Sequence, residues 1–162
     1  MTPAPFSKDI REFLMWLSRH RVRYLIVGGE AVIYYGHARL TGDIDIFYDR
    51  SPANCKKIHA ALADFWQGSV PGINSSRDLQ GENLIIQFGF PPYRIDLLSA
   101  ISAVPFSRAW ESRVTEHIKI DRGEHPIYFI SLQELIRNKL AVKRPRDIED
   151  LEFLNRIEKP AK

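Results

Sequence analysis

The chain has 162 residues, 44% of them hydrophobic and 11% aromatic, with a net charge of +3. That suits one globular domain with its own core, and the charge is too small and too scattered for a dedicated nucleic-acid binder. A single cysteine, Cys55, excludes an intramolecular disulfide; no apolar run reaches membrane-spanning length and no secretory leader pattern opens the chain, so the expectation is a cytoplasmic protein without membrane contact.

Residues 1–5 carry two prolines and read as a loose lead-in. Phe6, Ile10, Phe13, Leu14 and Leu17 recur at helical spacing, which predicts a first helix to His20. Val22 to Val27 is an apolar strand, broken by Gly28-Gly29. Glu30 to Tyr35 is a short helix, ended by Gly36, and Ile44 to Tyr48 is a second strand. Ser51-Pro52 is a helix start, with a cap residue and then proline at the first helical position; Ile58, Ala61, Leu62 and Phe65 form its buried face. Trp66 to Asn83 is polar and reads as a long loop.

Leu84 to Phe90 and Tyr93 to Leu98 read as a strand pair joined at Pro91-Pro92, followed by a loop with a helical turn from Ala100 to Ala109. Val114 to Ile120 and Pro126 to Ile130 form another pair. Ser131-Leu-Gln-Glu134 is a capping box that opens a helix burying Leu132, Leu135, Ile136 and Leu140, with Pro145 as its stop. A last helix from Arg146 packs through Ile148, Leu151 and Leu154. The expectation is a single domain over 1–162, with a core over about 22–130 and two C-terminal helices over about 131–157.

The chemistry concentrates in Asp43 and Asp45. Two apart on a strand, they share a face, while Ile44 and Ile46 point to the core. Adjacent carboxylates repel, and burial sharpens the repulsion. Mg²⁺, a hard cation, is the usual compensation near phosphates, and Asp96 on a neighbouring strand would complete the centre. A bare Asp-x-Asp also fits an edge strand whose carboxylates face solvent; the Gly-Gly turn with Arg39 and Thr41 favours a site. Gly28-Gly29 admits close approach of a ligand to the backbone, or supplies a tight turn with positive φ.

Arg39 and Thr41 either touch phosphate or buttress the loop. Lys139, on or beside an apolar stripe, reads from spacing alone as a snorkelling lysine; Asp147 and Asp150 read as a solvated face or as partners of Lys143 and Arg146. The histidines lack metal-ligand spacing, no Gly-x-x-x-x-Gly-Lys loop occurs, and Cys55 has no activating partner.

Gly28-Gly29-Glu-Ala31, Arg39-x-Thr41-x-Asp43-Ile-Asp45 and Ile95-Asp96-Leu97 resemble the minimal nucleotidyltransferases of the DNA polymerase β-like superfamily. Phe106-Ser-Arg-Ala-Trp110-Glu, Ser131-Leu-x-x-Leu135-Ile-x-x-Lys139 and Arg144-Pro-Arg-Asp147-x-x-Asp150-Leu bring the likeness closest to the small branch with the AbiEii-type toxins. The resemblance implies an α/β (α+β) nucleotidyltransferase fold: a mixed, twisted sheet flanked by helices, closed by two C-terminal helices. It implies Asp43, Asp45 and Asp96 as catalytic metal ligands, with Mg²⁺ or Mn²⁺ as cofactor. Gly28, Gly29 and Lys139 would meet the nucleoside triphosphate, with Arg39 and Thr41 as further candidate contacts. The expected reaction moves a nucleoside monophosphate to a hydroxyl on RNA (tRNA included), protein or a small molecule. The alternative is a nucleotide-binding regulatory module, or one half of a toxin–antitoxin pair with a cognate antitoxin partner. Glu30 departs from the pattern, where relatives often carry a small or apolar residue.

Overall fold

The computed structural model describes residues 6–158, so the lead-in read at residues 1–5 lies outside the described residues. The elements are α1 (Lys8–Arg19), β1 (Tyr24–Val27), α2 (Gly28–Tyr34), β2 (Asp43–Tyr48), α3 (Pro52–Phe65), a 3-10 turn (Ser76–Leu79), β3 (Ile85–Phe88), β4 (Arg94–Leu98), α4 (Phe106–Glu111), β5 (Val114–Ile120), β6 (Gly123–Phe129), α5 (Leu132–Val142) and α6 (Pro145–Glu158). The strands form one mixed sheet in the order β3-β4-β2-β1-β6-β5. Helices flank it, as expected for a nucleotidyltransferase fold. No helix among the described residues is long and apolar enough to cross a membrane.

Every residue of β1 is buried, which is why Tyr24-Leu-Ile-Val27 reads as a continuous apolar run. Aromatic contacts lock the layers. Phe13 of α1 meets Phe65 of α3 edge-on at 5.5 Å, and Phe106 of α4 meets Phe47 of β2 at 5.2 Å. Ser51 caps α3 with Pro52 at its first position. Buried Asn54 then ties the start of β1 to the end of β2: its side chain accepts from Arg23 N (2.9 Å) and donates to Asp49 O (2.6 Å).

The loop read at 66–83 is more ordered than its composition predicts. Ser75 and Asp78 form a capping box for the 3-10 turn. Leu79 is fully buried there, and its carbonyl accepts from Tyr48 Oη at 2.8 Å. Ser131 caps α5 as expected, but the Glu134 carboxylate takes Arg108 Nε at 2.9 Å.

The C-terminal helices differ from expectation in which residues face inward. Leu140 and Ile148, read as core positions, are 49% and 52% exposed. Lys139, Asp147 and Asp150 take the buried positions instead, so the seam between α5 and α6 is built on charge. Pro145 opens α6, and α5 ends at Lys143 in the left-handed region (φ 55).

Candidate active site

Strand register builds the acidic cluster. β2 and β4 run parallel, with Asp43 opposite Arg94 and Asp45 opposite Asp96. Alternation turns Ile44 and Ile46 into the core and brings the three carboxylates to one point. Asp43, Asp45 and Asp96 each offer an oxygen within 4.8 Å of the others, a spacing that suits a shared ion. The cluster follows the carboxyl end of β1 but sits at the amino ends of β2 and β4, because β1 runs antiparallel to β2.

Positive charge in the cluster falls short of negative. Burial, the charges of Asp43 and Asp96 and contact with Asp96 push the Asp45 carboxyl up to about 7, while Arg94 pulls the other way. Arg94 was not singled out by the sequence reading. Its Nη2 donates to Asp43 at 2.6 Å and its Nε to Asp96 at 2.8 Å. The signal was available in principle, since Arg94 and Asp96 are two apart on one strand.

The glycine turn is dictated by the same register. Val27 pairs with Asp45, so the chain leaves β1 against that carboxylate. Gly28 has φ +64, and a Cβ there would fall on the Asp45 carboxylate. A Cβ on Gly29 would come within 2.8 Å of Thr41 Oγ1 and 3.1 Å of Arg39 Nη2. The positive-φ turn is therefore realised, and the groups that approach the turn closely are the side chains of Asp45, Thr41 and Arg39.

Arg39 and Thr41 both line the cleft and bond to neighbouring carboxylates. Thr41 Oγ1 donates within 3.2 Å of the Asp43 carboxylate, and Arg39 Nη2 donates to Asp150 at 3.2 Å. Lys139 does not snorkel. It is 4% exposed, with Nζ 3.0 Å from Asp147 and 2.9 Å from Asp150. Asp147 and Asp150, read as a solvated face or as partners of Lys143 and Arg146, are buried and pair instead with Lys139, Arg144 and Arg39. Burial works against the charge of Asp147, but bonds from Arg144 and Lys139 outweigh it and hold the carboxyl down to about 2.

These groups line one cleft of about 260 Å³: Gly28 and Gly29, Asp43 and Asp45, Lys139 and Asp147, with Arg39, Thr41, Arg144 and Arg146. Arg144 stands in the sequence only as part of a motif, and Arg146 as a helix start and a partner for Asp147 and Asp150; both line the cleft, just after the left-handed turn at Lys143. A larger cavity of about 510 Å³ opens at the far end of β2, between Tyr48 and Phe106, and holds none of the three carboxylates. Cys55 is buried and its thiol is pushed up to about 11, chiefly by that burial, which fits a core residue.

Three carboxylates that could hold a metal ion thus stand beside the glycine turn and a cleft of mixed charge. Over residues 7–158 the chain matches the family described as nucleotidyltransferase of unknown function (DUF6036), and it belongs to that family. A comparison with curated proteins returns no match.

Two outcomes follow. Asp45 binds its proton more tightly folded than unfolded, so its penalty on stability begins above the ordinary carboxylate range near pH 4 and is complete above about pH 7. Asp45→Asn is expected to raise the melting temperature at pH 8 without divalent ions by roughly 5 °C, and to leave it unchanged near pH 4. Thermal unfolding at both values checks this; equal shifts at the two would contradict it. Asp150→Asn leaves Lys139 and Arg39 short of a buried charge. It is expected to lower stability by about 3 kcal/mol in urea unfolding, against less than about 0.5 kcal/mol for an ordinary surface change.

Proposed function

We propose that the chain moves a nucleoside monophosphate from a nucleoside triphosphate to a hydroxyl acceptor and releases pyrophosphate. The observation that carries this reading is the convergence of three carboxylates, two of which, Asp43 and Asp45, line a cleft together with the Gly28-Gly29 turn, Lys139, Arg144 and Arg146. Three hard oxygen donors fit Mg²⁺ or Mn²⁺, and the burial and like-charge repulsion that raise Asp45 are what a divalent charge offsets. When bound, such an ion polarises the phosphorus and lowers the pKa of the attacking hydroxyl.

The protein's own groups do the positioning. Gly28 and Gly29 leave room for Asp45 and Thr41 against the turn, whose backbone lines the cleft where the triphosphate would lie. Arg144 and Arg146 supply charge for the leaving pyrophosphate. Lys139 uses two ammonium protons on Asp147 and Asp150, which leaves one for a phosphate oxygen. Asp96 serves as ligand or general base, and Thr41 fixes the rotamer of Asp43.

In this reading the whole chain is one catalytic domain: residues 22–130 supply the carboxylates and residues 131–157 the lysine helix. Leu40, Phe90 and Tyr93 are 93%, 84% and 62% exposed. Such apolar groups, on the loops before β2 and β4, support a macromolecular acceptor such as RNA, or a cognate antitoxin partner as in the AbiEii-type branch the sequence resembles.

Incubation with each labelled nucleoside triphosphate and Mg²⁺, with and without total RNA, tests the proposal. The expected result is label transfer that disappears in Asp45→Ala. Tight nucleotide binding with no transfer under any condition would contradict it and favour a regulatory binding module.

A further inference from the structure

We infer that Arg94 is a built-in counter-cation that competes with a divalent ion for Asp43 and Asp96, and that Glu30 receives its guanidinium when the ion binds. This rests on the metal reading above.

Arg94 spans both carboxylates. Nη2 lies 2.6 Å from Asp43 Oδ2 and 3.1 Å from Asp96 Oδ2, and Nε lies 2.8 Å from Asp96 Oδ1. Strand geometry enforces this, because Arg94 faces Asp43 across the β2–β4 pair and shares a face with Asp96. The remaining Asp43 oxygen accepts from Thr41 at 3.2 Å. A divalent ion drawn to the same oxygens would meet a fixed positive charge at short range. The fork must therefore open before all three carboxylates can turn to one ion.

A destination for the guanidinium lies beside it. Arg94 also lines a second cleft of about 260 Å³, on whose wall stand Glu30, Phe6, Ser7 and Tyr93, and which shares Asp43 with the first. Glu30 is half-buried in the first turn of α2. Among the described residues it makes no ion pair; Asp43 is close enough to repel it, and Arg39 offsets only part of that. A half-buried carboxylate without a cation is unfavourable until one arrives. Arg94, with 28% of its side chain exposed, has room to turn. The exchange gives the acidic cluster a divalent charge in place of a single one and gives Glu30 its missing partner. It also assigns a purpose to the residue that departs from the family pattern.

Mn²⁺ binding without nucleotide, followed by titration calorimetry, tests the exchange in the wild type, Arg94→Lys, Arg94→Gln, Glu30→Gln, the double variant with Arg94→Gln and Glu30→Gln, and Asp45→Asn as blank. Lysine keeps the charge but loses the fork, so Arg94→Lys is expected to bind Mn²⁺ about tenfold tighter. Glu30→Gln is expected to bind about threefold weaker, and that loss disappears in the Arg94→Gln background, where no cation is left for Glu30 to receive. Should Arg94→Lys lower thermal stability, Arg94→Gln provides the second reading, with the same direction expected. Unchanged or weaker binding in the Arg94 variants overturns the proposal. An equal Glu30→Gln loss in both backgrounds overturns the part played by Glu30, which would then act on the ion directly. If wild type and Arg94 variants all behave like the Asp45→Asn blank, the metal centre itself falls.

Discussion

Parallel pairing of β2 with β4 sets Asp45 against Asp96, and Asp43 one pleat away. Three like charges on one face of a sheet are not a stable arrangement by themselves. The surrounding structure answers that problem in parts. Arg94 pairs with two of the carboxylates, Thr41 holds Asp43, and Gly28 keeps the chain leaving β1 clear of Asp45. Asp45 remains short of positive charge, and the centre is legible as chemistry for that reason.

A second charged network lies a few residues away and is handled in the opposite way. Asp147 and Asp150 meet Lys139, Arg144 and Arg39 in a buried set that is nearly satisfied. Its geometry binds α5 to α6, and both to the loop before β2. The contrast between the two sets is visible in the carboxyls. Asp147 is held near 2 by its partners, while Asp45 is pushed near 7 by burial and its neighbours. Near-complete pairing serves structure; under-pairing leaves three carboxylates that could hold a cation. The two networks touch at Arg39, whose guanidinium lies against Gly29 and Asp150, so the shape of the cleft depends on the docking of the C-terminal helices.

Much of this was legible in the sequence, and the omissions have a common cause. The order of the elements followed from hydrophobic period and from caps such as Ser51-Pro52. The carboxylate pair followed from strand alternation read together with the Gly-Gly turn, Arg39 and Thr41. Asp96 required the pairing of strands far apart in the chain, and the family resemblance supplied that. Arg94 escaped because its partner Asp43 is set by the same long-range register. Asp147 and Asp150 escaped because acids three apart on a helix look solvated until Lys139 and Arg39 are known to face them. Leu140 and Ile148 fit the apolar period but lie outside a seam that ionic contacts had already filled. Local patterns are readable wherever burial decides, and they fail where the partner of a charge comes from another element.

The most direct measurement is a crystal structure with Mn²⁺ and a non-hydrolysable nucleoside triphosphate, the ion located by its anomalous scattering. The account predicts a peak at about 2.1 Å from oxygens of Asp43, Asp45 and Asp96, with the phosphates over the Gly28-Gly29 turn. Metal and triphosphate bound elsewhere, in the cavity between Tyr48 and Phe106 for example, with Arg94 still bridging Asp43 and Asp96, would contradict it.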